Sequence, residues 1–174
     1  MKAIIIGNSG SGKTWLATRL AERFGSPIIH LDDLFWMPGK FEHARSEAEQ
    51  NQLLEQARKQ ANWIAEGVFG RLAEQLLPDA DLLVWLDLDW STCEKQLRAR
   101  AASQSLHLGR DQTTDGLAKL LVWASAYTTR NNDCSRSGHA TLFNQFSKKR
   151  LQLHTPAEIE AFIAELDSQH SSGA

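Results

Sequence analysis

The sequence predicts an α/β fold in three layers, with helices on both sides of a parallel sheet of about five strands. Short apolar segments, typical of strands buried on both faces, alternate with segments of helical periodicity. Alternation of this kind indicates strand–helix–strand units with right-handed crossovers. The length of 174 residues and the hydrophobic share of 42% suit a single domain over 1–174 with one core.

Composition and charge exclude several classes of protein. There are 19 basic and 21 acidic residues, and a net charge of −2 is not the basic footprint of general nucleic-acid binding. The longest apolar stretches, such as 3–6 and 82–86, are too short to cross a bilayer. The chain runs from Met1 directly into a strand pattern without a signal-peptide layout. With Cys93 and Cys134 expected as reduced thiols, the sequence predicts a soluble, cytoplasmic protein.

The first half of the chain predicts strands and helices in alternation. Residues 2–7 are β-branched and apolar, which indicates a buried strand. A glycine-rich turn follows, and then a helix over 14–24 that ends at Gly25. The further elements are a strand over 27–31, a mostly exposed helix over 42–60, a strand over 62–66 and a helix over 71–77.

The second half continues the pattern with two polar interruptions. A strand over 81–87 precedes a helix over 91–102, for which Ser91 and Glu94 predict a capping box. The remaining elements are a polar, lid-like loop over 103–116, a helix over 117–130, a polar stretch over 131–138, a strand over 149–154, a helix opened by 155–158 and a frayed tail over 168–174. Four tryptophans in these elements are expected in the core, namely Trp15, Trp63, Trp85 and Trp123.

One motif indicates phosphate binding. Residues 7–14 match G-x-x-x-x-G-K-[ST] at every specified position and lie between a strand and a helix, where the motif functions as a phosphate-binding loop. Its backbone N–H groups and the helix N-terminus would bind the phosphates, Lys13 would contact the β- and γ-phosphates, and Thr14 would ligate Mg²⁺. All eight loop residues are candidate nucleotide contacts: Gly7, Asn8, Ser9, Gly10, Ser11, Gly12, Lys13 and Thr14.

The rest of the sequence favours a small phosphotransferase that uses ATP and Mg²⁺. It lacks the D-x-x-G and N-K-x-D motifs of a GTPase, and it is too short for a large motor or helicase. Acidic residues fall at predicted strand ends and arginines fall in loops, which is the chemistry that phosphoryl transfer needs.

Several segments together resemble the adenylate-kinase-related P-loop proteins known as DNA topology modulation, or FlaR-like, proteins. The wider group has the P-loop NTPase fold and includes nucleoside monophosphate, shikimate and gluconate kinases. The resemblance covers nearly the whole chain, but only the phosphate-loop motif is highly specific. The matching segments are the phosphate loop, 30–36, 63–67 with Arg71, 81–89 and 149–162.

The resemblance implies roles for acidic residues. Glu66 corresponds to the aspartate of a strand-ending Asp-Gly step that holds a water on Mg²⁺, although glutamate is one methylene longer. Asp32 corresponds to an aspartate that contacts the acceptor hydroxyl, with Asp33 as the competing choice or as a helix cap. Strand alternation would place Asp32 beside His30, which is itself more typical of a core or strand-end histidine. Asp87 and Asp89 either approach the metal or end the strand and cap a helix.

The resemblance also implies arginines around the acceptor and the lid. Arg71 has the spacing of an arginine that grips the acceptor, and Arg100 resembles one that enters the site when a lid closes. Gln96 stands where related kinases often have a second arginine, while Arg98 lies on another face of the helix. Three other arginines are candidates for the missing charge or are surface residues, namely Arg110, Arg130 and Arg136.

Two questions stay open at the level of sequence. The acceptor is either a nucleoside monophosphate or a small hydroxylated metabolite, contacted by an insert at about 32–61 in which Phe35 and Trp36 either stack on it or pack in the core. The alternative function is that of a nucleotide-dependent regulatory ATPase of the topology-modulation type, for which direct DNA contact is disfavoured by the net charge.

Overall fold

The computed structural model describes residues 1–38, 40–102 and 114–171 of the chain. Arg110 and residues 103–113 of the expected lid-like loop lie outside this part, whereas 114–116 of that loop belong to a helix. The strands in it are β1 (Lys2–Gly7), β2 (Ile28–His30), β3 (Trp36–Met37), β4 (Lys40–Ala44), β5 (Trp63–Gly67), β6 (Leu82–Leu86) and β7 (Lys149–Leu153). The helices are α1 (Lys13–Phe24), α2 (Leu31–Phe35), α3 (Glu47–Arg58), α4 (Gly70–Leu76), α5 (Trp90–Ala102), α6 (Thr114–Ser125), α7 (Arg136–Gln145) and α8 (Pro156–Ser171), with a 3₁₀ turn at Ala126–Thr128.

The central sheet confirms the predicted fold class. Its five strands lie in the order β2-β5-β1-β6-β7 and all pair in parallel. β1 lies in the middle of the sheet, between β5 and β6. The chain leaves β1 toward one edge and returns later on the other side, so β1 ends at the topological switch point where α/β sheets bind ligands.

Helices cover both faces of the sheet, because side chains of a strand point alternately to opposite sides. From β1, Ile4 and Ile6 face a cluster formed with α2, α3, α4 and α7. Ala3 and Ile5 face the other cluster, formed with α1, α5 and α8. The fold is therefore a three-layer α/β/α sandwich.

The segment between β2 and β5 differs from the sequence prediction. β2 ends at His30, so Asp32 does not end a strand but lies in the first turn of α2 with Asp33. Two acidic side chains are favoured there by the positive end of the helix dipole. An antiparallel β3–β4 hairpin follows and delays α3 to Glu47, where Ser46 and Glu49 form a capping box.

Several boundaries in the second half also differ. Asp89, rather than Ser91, caps α5, because its carboxylate accepts from the backbone N–H and hydroxyl of Thr92 and from the Ser91 hydroxyl. α6 ends at Ser125, five residues earlier than expected. α7 begins inside the expected polar stretch, with the Ser135 side chain as its cap. α8 continues to Ser171 through most of the expected tail.

The tryptophans divide into two pairs. Trp63 and Trp85 are buried in the sheet, as predicted. The expectation is wrong for Trp15 and Trp123, which are 47% and 37% exposed. Trp15 points outward because Leu16, Ala17 and Leu20 form the buried stripe of α1. No helix in the described part of the chain is both long enough and apolar enough to span a membrane.

Candidate active site

The phosphate-loop motif follows β1 and turns directly into α1. Gly10 has φ +81°, and a Cβ at this position would lie 2.4 Å from the Cys93 carbonyl oxygen, so a glycine is required where the loop packs on α5. Gly12 is the N-cap of α1 with φ +92° and provides no side-chain cap. The first N–H groups of α1 are thus left for a ligand in the loop.

Lys13 is the first residue of α1 and is 8% exposed. Its ammonium group donates to the backbone carbonyl oxygen of Asn8 at 2.8 Å, within the loop itself. Burial lowers the pKa of Lys13, while the negative charges of Glu66 and Asp32 oppose that shift. A buried ammonium group at the start of the loop's helix is well prepared to bind an anion that enters the loop.

Three side chains meet where β1, β2 and β5 end. The Thr14 hydroxyl donates to Oε1 of Glu66 at 3.1 Å, and His30 Nδ1 lies 2.7 Å from the same oxygen. Burial raises the pKa of Glu66, but the His30 hydrogen bond and the Lys13 charge outweigh it and hold the pKa below its usual value. The hydrogen bond to Glu66 in turn raises the pKa of His30. Glu66 is therefore an ionised, buried carboxylate next to Lys13 and Thr14.

These residues suit a phosphate chain with Mg²⁺. The Ser11 hydroxyl is buried in the loop and has no hydrogen-bond partner among the described residues, which is the condition of a group awaiting a ligand. Within the same residues no cluster of three or more His, Cys, Asp or Glu side chains could hold a metal ion. Mg²⁺ is commonly held in another way, by one or two oxygen ligands of the protein together with substrate phosphates and waters. The Thr14 hydroxyl and the Glu66 carboxylate are oxygens of this kind, 3.1 Å apart beside the loop.

The acceptor candidates lie on α2, beside this cluster. Asp32 is half-buried, and its charge raises the pKa of both Lys13 and His30. Asp33 is exposed, and its charge acts on His30. Of these two aspartates, Asp32 is the one whose charge acts on Lys13. Its position comes from the first turn of α2 and not from strand alternation, because β2 ends at His30.

Next to them, Phe35 and Trp36 pack in an aromatic cluster with Phe69. The Phe35 and Phe69 rings stack with centroids 4.0 Å apart, and Trp36 meets Phe35 edge-on. Both residues also contact the larger hydrophobic core. The structure therefore accounts for them as packing residues that support the turn between β5 and α4.

Arg71 lies in the first turn of α4 and has two kinds of partner. Its guanidinium donates to the side-chain oxygen of Gln50, which is buried on α3, and it lies 3.9 Å from Glu47. Its backbone N–H donates to Asp133 at 3.0 Å. Gln50 also donates to the Arg45 carbonyl oxygen at 2.8 Å, so Arg71 is tied to the start of α3.

The other arginines differ in their surroundings. Arg100 is exposed near the end of α5, yet its charge lowers the pKa of Lys13, so it acts on the phosphate loop electrostatically. Arg130 donates to the backbone carbonyl oxygens of Trp123 and Cys134 and thereby closes the turn before α7. Arg136 forms a bidentate pair with Asp87 at 2.9 and 2.6 Å. The structure thus assigns Asp87 and Asp89 the simpler of their two roles, a paired strand end and a helix cap.

A cavity of about 300 Å³ opens beside the phosphate loop, between the ends of β6 and β7. Its lining includes Asn8, Asp87, Trp90, Tyr127, Arg136 and His154. Arg136 therefore lines the same cavity as Asn8 of the phosphate loop while it is paired with Asp87.

Two residues of this site, Gln50 and His30, make side-chain contacts that the sequence does not predict. Gln50 was predicted only as part of an exposed helix, and nothing in the sequence pairs it with Arg71. His30 was considered a structural histidine. The sequence does contain an indication of the His30–Glu66 contact, since both residues lie at the ends of predicted strands.

Comparison with known proteins shows the fold and little more. No protein-family model matches the sequence, and neither does any curated protein. Among solved structures, a shikimate kinase from Bacteroides thetaiotaomicron is similar over 98% of both chains, with a TM-score of 0.54 and 17% identity. A gluconokinase from Sinorhizobium meliloti is similar over 99% of this chain and 97% of its own, with a TM-score of 0.51 and 15% identity. A deoxyadenosine kinase from M. mycoides is similar over 99% of both chains, with a TM-score of 0.50 and 14% identity. The chain has the fold of the small P-loop kinases.

Proposed function

We propose that this protein is an ATP- and Mg²⁺-dependent phosphotransferase that moves the γ-phosphate of ATP to a small acceptor. The observation that carries the proposal is the meeting of Lys13, Thr14 and Glu66 at the carboxyl ends of β1 and β5. This arrangement places a buried cation, a hydroxyl and an ionised carboxylate around one glycine-lined loop. The P-loop kinase fold supports it.

Each residue has a distinct role in the proposed reaction. The backbone of Gly7–Thr14 binds the phosphate chain, and Lys13 leaves the Asn8 carbonyl to contact the β- and γ-phosphates. Thr14 and Glu66 would hold Mg²⁺, Glu66 through a bound water; the ion would neutralise charge on the transferred group.

On the acceptor side, an oxygen of the acceptor forms a bond to the γ-phosphorus while the bond from that phosphorus to its leaving oxygen breaks and ADP departs. Where the attacking group is a hydroxyl, Asp32 accepts its proton. Arg71 binds the acceptor from α4, and Arg100 stabilises negative charge on the transferred group. Residues of the insert at about 32–61 would form the acceptor side of the site; residues 103–113 of the expected lid-like loop lie outside the described part of the chain. The acceptor is a nucleoside monophosphate or a small hydroxylated metabolite, and the FlaR-like branch is the proposed relationship within these kinases.

A combined binding and turnover experiment tests this function. ATP consumption would be measured with Mg²⁺ against nucleoside monophosphates, sugars and hydroxy acids, for the wild type, Lys13→Ala and the exposed control Lys95→Ala. We expect one acceptor class to stimulate turnover, Lys13→Ala to lower it at least ~100-fold, and Lys95→Ala to leave it unchanged. Turnover at background with every acceptor would contradict the proposal.

Thermal shift with ATP and Mg²⁺ separates the remaining alternative. Stabilisation by ATP, lost in Lys13→Ala and combined with no acceptor-stimulated turnover, would instead indicate a nucleotide-dependent regulatory protein. Steeply salt-dependent DNA binding would be needed in addition to support a direct role on DNA.

A further inference from the structure

His30 and Glu66 occupy equivalent levels on neighbouring strands. They are register partners in the parallel β2–β5 pair, and each is at or next to the end of its strand. His30 Nδ1 lies 2.7 Å from Oε1 of Glu66. An ionised carboxylate can only accept, so Nδ1 is the donor of this hydrogen bond.

The two donors to Glu66 bind the same oxygen from different directions in the fold. Thr14 donates to Oε1 from α1, and His30 donates to Oε1 from β2. Neither of these two bonds uses Oε2, the oxygen that would accept from a water on a bound metal ion. The carboxylate itself is buried, with only 5% of the residue exposed.

A glutamate needs such support more than an aspartate does. Its side chain has one more rotatable bond, so a free glutamate carboxylate loses more conformational entropy when it is held in one place. Carboxylates around metal ions are oriented by outer hydrogen-bond partners, and loss of such a partner commonly lowers metal affinity 10–100-fold. In this protein, His30 is the outer hydrogen-bond partner of the Glu66 carboxylate.

We propose that His30 is a positioning residue that holds the Glu66 carboxylate in the orientation required to bind Mg²⁺ with the nucleotide. This inference rests on the proposed function. It concerns the hydrogen bond from Nδ1 alone, so it distinguishes between substitutions that retain a donor at that position and those that do not. The Asn side-chain nitrogen stands where His Nδ1 does, whereas the Gln side-chain nitrogen stands where Nε2 does.

The test measures metal binding without any turnover. Mn²⁺ is titrated into the full-length protein with ADP, and the free ion is followed by electron paramagnetic resonance. We expect His30→Ala and His30→Gln to weaken Mn²⁺ binding about 10–100-fold, and His30→Asn to remain within about threefold of the wild type. ADP affinity in EDTA should be the same in all of them, since a loss there would indicate damage to the phosphate loop and would contradict the positioning role.

Controls separate this inference from the function on which it rests. His43→Ala, on the exposed side of β4, should leave Mn²⁺ affinity unchanged. If the wild type fails to bind Mn²⁺ with ADP, the proposed function fails, and this inference fails with it. If the wild type binds and His30→Ala binds equally well, or His30→Asn is as weak as His30→Gln, the positioning role alone is overturned. Should His30→Ala not fold, the His30→Asn and His30→Gln pair still decides the matter.

Discussion

The side-chain amide of Asn8 donates to the carbonyl oxygen of Ala124 at 3.0 Å and thereby joins the phosphate loop to the end of α6. The side-chain oxygen of Asn8 accepts from the backbone N–H of Ser9, and its backbone oxygen accepts from Lys13. Asn8 is only 2% exposed, and Ala124 is fully buried. One residue of the motif therefore connects the loop to the helix that follows the expected lid.

Replacing Asn8 by Ala should lower the free energy of unfolding by about 1–3 kcal/mol, because the buried Ala124 carbonyl would lose its partner. Urea unfolding measures the effect. Asn62→Ala is the matched control: this side chain also donates to a backbone carbonyl, that of Gly25, but in an exposed position at 3.4 Å. The control should cost at most about 0.5 kcal/mol. Equal losses in the two variants would contradict the role given to Asn8.

Gly10→Ala should distort the phosphate loop and abolish stabilisation by ATP. Its new Cβ would lie 2.4 Å from the Cys93 carbonyl oxygen, at a φ of +81° that side chains avoid, so we expect a loss of at least about 2 kcal/mol in unfolding free energy. Gly25→Ala has a comparable backbone strain, with φ +56°, but no atom within 4 Å. It should cost about 1 kcal/mol and retain ATP binding. Thermal shift with and without ATP compares the two variants.

Acid should destabilise the protein partly through His139. This ring is buried, it accepts from the Tyr127 hydroxyl, and Nε2 donates to the Val68 carbonyl oxygen. Burial lowers the pKa of His139 to about 4. Between pH 6.5 and 4 the unfolded chain binds a proton that the folded protein does not, so stability falls as the pH falls across that window, by up to about 3 kcal/mol.

Urea unfolding between pH 7 and pH 4.5 measures this contribution. His139→Gln should have a flatter dependence of unfolding free energy on pH than the wild type, and the exposed control His43→Gln should match the wild type in slope. A wild-type slope in His139→Gln would show that other groups account for the acid sensitivity.

Arg71→Lys should raise the KM for the acceptor about tenfold or more and leave the KM for ATP within about twofold. A lysine keeps the charge but loses the planar fork that binds Gln50 and that, in the proposed function, also binds the acceptor. Arg98→Lys is the control, because Arg98 pairs only with Glu94 among the described residues and lies 59% exposed on α5. Steady-state kinetics with each substrate varied in turn would show the difference, and an increase confined to ATP would contradict acceptor binding by Arg71.

The local features of this protein were readable in the sequence. The phosphate loop was predicted residue by residue because its chemistry requires glycines, a lysine and a hydroxyl at fixed spacing in one continuous segment. β1, β5 and β6 were predictable because each is a short apolar run buried on both faces. The role of Glu66 at a strand end was implied by the family resemblance, and in the structure it lies beside the loop because parallel strands end at a common edge.

The errors came from residues whose environment is set by distant parts of the chain. The β3–β4 hairpin was not predicted because its sequence does not alternate between apolar and polar residues. Trp123 was expected in the core, but in α6 only Ala124 is fully buried within residues 116–125. Strand alternation placed Asp32 wrongly because the chain turns into α2 at Leu31, where Leu31 packs against Gly67. Local propensity cannot show such a contact.

The sequence by itself determined the fold class and the phosphate-loop motif, since both are patterns along the chain. Only the tertiary structure decided which side chains share an oxygen of Glu66, which carbonyl Asn8 binds and which residue holds Arg71. The paired residues are far apart in the sequence: His30 and Glu66 by 36 positions, Asn8 and Ala124 by 116, and Arg71 and Gln50 by 21. Hydrogen bonds act over about 3 Å, so they depend on how the layers pack and not on any pattern along the chain.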